Sequence, residues 1–344
     1  MTDPVLLLAV NRIPCLRWDE KLRVLDAVRT LDGFLRLRPV DAALLAGRRL
    51  RNLVWRPGDL AAEAEKHHRA AESRKIRILP WTEPGYPPQL REIYDPPFLL
   101  FARGALPDWF RPALAVVGTR MPTGAGRRAA YELAFQAAEA GIPVVSGLAR
   151  GIDGEAHRGC LDAGGLTVAV LGNGADGIYP VSHRGLAESI LEAGGLALTE
   201  YAPGEGVRRH HFPARNRIIS GLCRGVVIVE APLKSGALLT ADYALEQGRD
   251  LFVHGGCLEG ENGAGLRRLA EDGAPAIFSL DAILEEWSPG TRRPGDSRVP
   301  AGPERRGPGD SGAPGRSLAL FLQEELEGNT PRPRGHYFRR LGNG

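Results

Sequence analysis

From residue 113 onward, short β-branched and apolar runs return roughly every 25 to 30 residues, the spacing expected when parallel strands alternate with crossover helices. They are ALAVVG (113–118), PVVSG (143–147), LTVAVLG (166–172), LALTEY (196–201), VVIVEA (226–231) and DLFVHGG (250–256). Between them lie segments of helical period, among them RRAAYELAFQAAEAG, DGEAHRGCLDAGG, HRGLAESILEAGG and TADYALEQGR, most closed by a glycine where a left-handed C-cap belongs. The strands are apolar throughout rather than alternating, as they must be when helices cover both faces of a sheet. The expected fold class is α/β, a doubly wound, mostly parallel sheet.

The flanks read differently. Residues 1–74 carry short helical stretches (LLLAVNRI, DEKLRVLDAVRTL, PVDAALLA, GDLAAEAEKHHRAAESR) with breaks at Gly33, Gly47 and Pro57, a small helical domain. KIRIL and FLLFARG bracket a proline-rich turn and extend the sheet, so the main domain is expected over 75–287. Residues 288–316 hold six prolines and seven glycines among 29 positions and almost no apolar side chains, the composition of a disordered linker. SLALFLQEELEG then reads as one amphipathic helix in a short tail, 317–344, too small for a core of its own.

At 344 residues, 43% hydrophobic and 25% charged, the chain has the composition of a globular protein. Its four cysteines are scattered without a CxxC, and it opens MTDPVLLLAVNR with no basic segment ahead of a cleavable apolar one, which points to a reducing cytoplasm. No apolar run approaches the ~20 residues that span a bilayer, so no membrane partner is expected. A formal net charge of +3 is too small to identify a polyanionic partner. Only the clustering of the cations can do that.

Ligands of open α/β sheets bind outside the carboxyl ends of the strands, so the loops there carry the functional reading. The first, GTRMPTGAG (118–126), brings glycines that let backbone approach a ligand and a helix whose N–H groups face an anion. Its glycines, at 118, 124 and 126, fit neither the dinucleotide fingerprint nor the P-loop, so neither NAD nor ATP is expected and no cofactor is assigned. Arg120 at the strand tip either grips a phosphate or pairs with a structural carboxylate. The second loop, SGLARGIDGEAHRG (146–159), offers Arg150 beside Gly151. Its Asp153 and His157 tempt a metal or acid–base reading, but no second ligand cluster accompanies them, and capping and packing explain them better. In EAPLKSGALLTADYALEQGR, Lys234 precedes Ser235, Gly236 and Thr240, which either donate to a phosphate or cap a helix.

Val207–Arg217 completes the set. VRRHHFPARNR carries four arginines, two histidines, one phenylalanine and no acid, and reads as a loop between two strands. With Arg120, Arg150 and Lys234, the arginines 209, 215 and 217 are expected to project from one edge of the sheet. Phe212 there is either a stacking platform for an unpaired base or a ring packed beneath the loop. Asn216 either caps the helix that follows or touches a nucleotide.

The strings AVVGTR, VVSGLARGIDGEAHRGCL, GLTVAVLGNGADGIYP, LTEYAPG, FPARNRIISGL, VVIVEAPLKSGALLTADYALEQGR and GAGLRRLAEDGA, in order over about 75–287, closely resemble the DNA-processing protein A family, also called DprA or Smf. The resemblance implies an extended Rossmann-like domain that binds single-stranded DNA, forms a homodimer and helps load the RecA recombinase during natural transformation, in competence and DNA recombination, without catalysis. It assigns the family's phosphate loop to Gly118, Thr119 and Arg120, and its basic and aromatic grip to Arg209, Phe212, Arg215 and Asn216. Ser146, Gly147, Arg150, Gly151, Arg217, Lys234, Ser235, Gly236 and Thr240 are placed near the same pocket. The N-terminal helices resemble the SAM-like or helix-hairpin-helix region of longer members, and the tail a remnant of their winged-helix module. His254-Gly255-Gly256 departs from the proline-glycine that often follows the sixth strand. The alternative is an enzyme, a Rossmann-like nucleotide phosphoribohydrolase, whose PGGxGT-type loop and catalytic glutamate would have to be supplied by PLKSGALLT with Glu230 or Glu246. Release of free base from AMP separates the two.

Overall fold

The computed structural model of the chain describes residues 2–50 and 55–287. The linker and tail expected over 288–344 lie outside them. Nine strands form one sheet: β1 (Arg77–Pro80), β2 (Leu99–Gly104), β3 (Leu114–Val117), β4 (Val144–Ser146), β5 (Thr167–Val170), β6 (Leu196–Thr199), β7 (Gly225–Ile228), β8 (Asp250–His254) and β9 (Ala276–Ile277). Their order is β1-β2-β6-β5-β4-β3-β7-β8-β9. From β6 to β9 every pairing is parallel, and β1 and β2 add an antiparallel margin beside β6. This is the mostly parallel, doubly wound sheet that the repeating apolar runs require. The two-residue β9 is too short to leave a periodic signal.

The topology places the ligand-binding crevice. From β3 the chain winds outward through β4, β5 and β6, then returns to lay β7 on the other side of β3, with Val117 level with Ile228. The direction of winding reverses between β3 and β7, and the loops after those strands flank the gap that results. Every residue of β3, β4, β5, β6 and β7 is buried, so the strands can serve only as a rigid frame, leaving recognition to the loops at their ends.

The antiparallel margin alternates where the parallel strands do not. On β2, Leu100 and Ala102 enter the main core, while Leu99 and Phe101 enter a second core built with the N-terminal helices. Those helices are Pro4–Asn11, Trp18–Val28, Leu31–Leu35, Pro39–Ala46 and Pro57–Ser73. Pro4–Asn11 is buried from Val5 through Val10, as a helix apolar on all sides must be. One of the expected breaks is corrected. Gly33 lies inside the helix Leu31–Leu35, where a side chain would run into the Val28 carbonyl. Pro57 opens its helix, since the first helical position needs no N–H. Gly47 does end a helix, at φ +70°.

Candidate nucleic-acid interface

The loop after β3 is fastened from both sides. Thr119 donates its N–H to the Glu230 carbonyl at 2.7 Å, and its own carbonyl accepts from Ile152 at 3.2 Å. The Glu230 side chain, 2% exposed, accepts from the Thr123 N–H at 2.8 Å and the Thr123 hydroxyl at 2.7 Å. Thr123 in turn caps the helix Gly124–Glu139 by accepting from Gly126 at 3.1 Å. A resident carboxylate thus stands beside this helix N-terminus, while Gly124 and Ala125 at its start remain exposed. Gly118 is a packing glycine, because a Cβ there would lie 2.6 Å from Ile152 Cγ1 and 2.8 Å from the Glu230 carbonyl oxygen. The loop offers Met121 to solvent and, beside it, Arg120. It has no carboxylate partner among the described residues, and its guanidinium lies 5.1 Å from the centroid of the Phe212 ring. Replacing Glu230 by alanine removes both of its hydrogen bonds to Thr123 and is expected to lower stability by about 1–3 kcal/mol, read from urea unfolding.

At the end of β4, Ser146 is fully buried and donates to the Val116 carbonyl at 2.8 Å, out of reach of any ligand. Asp153 accepts from the N–H groups of Gly147 and Ala149 at 3.1 and 3.3 Å and so closes the turn. Burial raises its carboxyl above the ordinary range, against the pull of the Arg215 charge and these two donors. His157 faces the sheet instead: Nδ1 lies 2.7 Å from the Thr167 hydroxyl, which donates to the Val144 carbonyl at 2.9 Å. Burial pushes this imidazole down to about 3, which keeps it neutral. Asp153 and His157 thus serve different neighbours. Gly151, at φ +80°, lets the chain pass close under Thr119, and Arg150 beside it is exposed.

Only the first part of Val207–Arg217 is a loop. A helix runs from His211 to Gly221 and contains Phe212, Pro213, Arg215, Asn216 and Arg217. Pro213 is tolerated because it falls in the first turn, where its missing N–H breaks no helical bond. The helix turns two of the expected grips inward. Arg215, 4% exposed, donates to the carbonyls of Gly147 at 2.6 Å and Val170, and burial brings its guanidinium down to about 10. Gly147 is glycine because a Cβ would come 2.5 Å from that guanidinium. Arg217, 8% exposed, forms a two-pronged pair with Glu200 at 2.7 and 2.8 Å and reaches Asp95 through Nε at 3.2 Å. Neither arginine projects from the edge, since each guanidinium is already committed to internal acceptors. Asn216 neither caps its helix nor stands free: it accepts from Arg215 at 3.2 Å and donates to the Gly236 carbonyl at 3.3 Å.

The remaining members separate cleanly. Arg208, Arg209 and Lys234 are exposed. Ser235 caps the helix Gly236–Glu246, accepting from Ala237 at 3.3 Å, while Gly236 sits at its exposed start and Thr240 is buried one turn further on. Phe212 is half-buried against Gly172 and lies 5.7 Å from the ring of Tyr179. Tyr179, absent from the sequence-derived set, stands in the loop after β5; an aromatic residue beside a proline at a strand's carboxyl end was its only signal. The same strand-end loops expose Met121, Val181, Val207 and Leu233.

Residues 77–288 match the family model described as DNA recombination-mediator protein A. DNA processing protein DprA of Streptococcus pneumoniae is 42% identical over 221 residues, 64% of this chain and 77% of that protein. Protein Smf of Escherichia coli is 38% identical over 270 residues, 78% of this chain and 68% of its own length. The crystal structure of the Streptococcus pneumoniae protein superposes with a TM-score of 0.69 at 35% identity, covering 83% of this chain and 99% of that one. The structure of DNA processing protein A from Helicobacter pylori, described for its single-stranded DNA binding mode, gives a TM-score of 0.56 at 30% identity over 62% of this chain and 95% of that one. With the family model covering the whole sheet and its strand-end loops, this chain belongs to the DNA recombination-mediator protein A family.

Proposed function

We propose that this chain binds single-stranded DNA along the carboxyl edge of its sheet and, as a homodimer, delivers the strand to the RecA recombinase in the cytoplasm. One observation carries the binding step: Arg120, Arg150, Arg208, Arg209 and Lys234 stand exposed without ion pairs among the described residues, interleaved with exposed Met121, Tyr179, Val207 and Leu233. A duplex needs only the cations. An unpaired strand presents phosphates and apolar base faces together, and this edge offers partners for both. The single-stranded DNA binding for which the Helicobacter pylori relative is described points the same way. In this reading Thr119, Arg120, Arg150, Arg209, Lys234 and Phe212 meet the strand, with Ser235 and Gly236 at the rim. Gly147, Ser146, Asp153, Arg215, Asn216, Arg217 and Thr240 hold the frame that carries them. The division at residues 74 and 75 follows the same proposal, the helices before it bracing the sheet margin.

The proposed role is non-enzymatic. The glutamate that a phosphoribohydrolase would need nearest the crevice, Glu230, is buried and has its two oxygens engaged with Thr123. Replacing Phe212 by alanine is expected to weaken binding by about 1–3 kcal/mol while the slope of log affinity against log salt stays unchanged, because a ring is lost and no phosphate contact is. Anisotropy titrations at several salt concentrations check this, and a large change of slope contradicts the stacking role.

A further inference from the structure

Phe212 is a crowded platform. One edge of its ring is close enough to Gly172 that a Cβ there would lie 3.1 Å away, and the Arg120 guanidinium stands 5.1 Å from its centroid. Tyr179 is the freer ring. It lies 5.7 Å from Phe212, inclined by 47°, and is 44% exposed.

The loop that carries Tyr179 is firmly held. Asn173 donates to the carbonyls of Gly174 at 3.0 Å and Gly177 at 2.9 Å, and Pro180 after the ring is buried. Ile178 before it packs on a small core formed by Leu148, Ala169, Leu171, Ala187, Ile190 and Ala197. The next turn is tied down by His183, whose Nδ1 meets the Leu148 carbonyl at 3.0 Å. An anchored loop that keeps a large ring in water, with Val181 65% exposed beside it, forgoes burial available to most aromatic side chains. The Arg120 guanidinium and the Tyr179 ring both stand against Phe212, at 5.1 and 5.7 Å from its centroid.

We propose that Tyr179 is a second stacking platform, taking the nucleobase next to the one held at Phe212 and Arg120. The inference rests on the single-strand reading above and extends it to a second base position. Stacking on Tyr179 is tolerant of base identity, because every base presents a π face.

The test compares Tyr179→Ala, Tyr179→Leu and Tyr179→Phe in the full chain, using fluorescence anisotropy with an oligothymidylate and with an abasic oligonucleotide of equal length. Tyr179→Ala is expected to bind oligothymidylate about tenfold or more weakly than wild type with an unchanged salt slope. Tyr179→Phe keeps wild-type affinity; Tyr179→Leu, which still covers Phe212 but has no π face, binds as weakly as the alanine variant. On the abasic strand all four proteins bind alike. Wild-type affinity in the alanine variant overturns the proposal, and so does rescue by leucine, which would make Tyr179 only a cover for Phe212. Failure of the wild type to bind either strand overturns the single-strand reading itself, a result distinct from the other two.

Discussion

Reversing Arg120 and Arg209 together to glutamate is expected to lower affinity for single-stranded DNA by about a hundredfold or more, on the basis of roughly 1.5–3 kcal/mol for each charged hydrogen bond lost. Both side chains are exposed and neither is ion-paired among the described residues, and the contact of the Arg120 guanidinium with the half-buried Phe212 ring is a partly exposed one. Thermal unfolding should therefore stay close to wild type while the titration collapses. The salt dependence should also flatten, because fewer counterions are released from the strand. Intact affinity in a folded double variant would remove the strand-end loops from the binding surface.

Arg217 is expected to behave in the opposite way. Replacing it with methionine leaves Glu200, whose side chain is only 19% exposed, without its paired cation, a loss of about 3–5 kcal/mol where domains commonly hold about 5–15 in all. Urea unfolding measures it, and changing Glu200 to methionine as well should recover part of the loss, because the carboxylate that then remains, Asp95, has a side chain 39% exposed to water. Burial by itself would raise the Glu200 carboxyl, but the Arg217 charge and its paired N–H donors outweigh burial and hold the group below its ordinary value. A carboxyl depressed in the folded state stabilises above the unfolded value, about 4.3 for glutamate, and that contribution fades as pH falls through the folded value. The acid limb of stability should accordingly be shallower in the Arg217→Met, Glu200→Met protein.

These two arginines mark where the sequence is legible and where it is not. The strands were readable because a parallel strand buried on both faces must be apolar at every position, as Leu114–Val117 and Gly225–Ile228 are. The packing role of His157 was also readable, from the want of partners at metal-binding spacing, whereas Asp153 is not the N-cap expected of it: Gly151 holds that place and Asp153 accepts from Gly147 and Ala149. The fate of Arg215 and Arg217 was not, because an arginine turns inward only when its acceptors are present, and those are Gly147, Val170, Glu200 and Asp95, up to 122 residues away in the chain. The start of the helix at His211 was hidden by Pro213 and by a run of polar residues with no apolar period. Glu230 was hidden in the same sense, since a buried acid at the end of β7 looks like any loop acid until Thr123 is seen beside it.

The central claim is that the carboxyl edge of the sheet is built for a single strand. Fluorescence anisotropy with single-stranded and double-stranded DNA of the same length, over a salt series, tests it most directly. The account predicts tighter binding to the single strand at every salt concentration, a linear fall of log affinity with log salt, and a residual preference for the single strand at high salt where stacking remains. Equal or tighter binding to the duplex would contradict it.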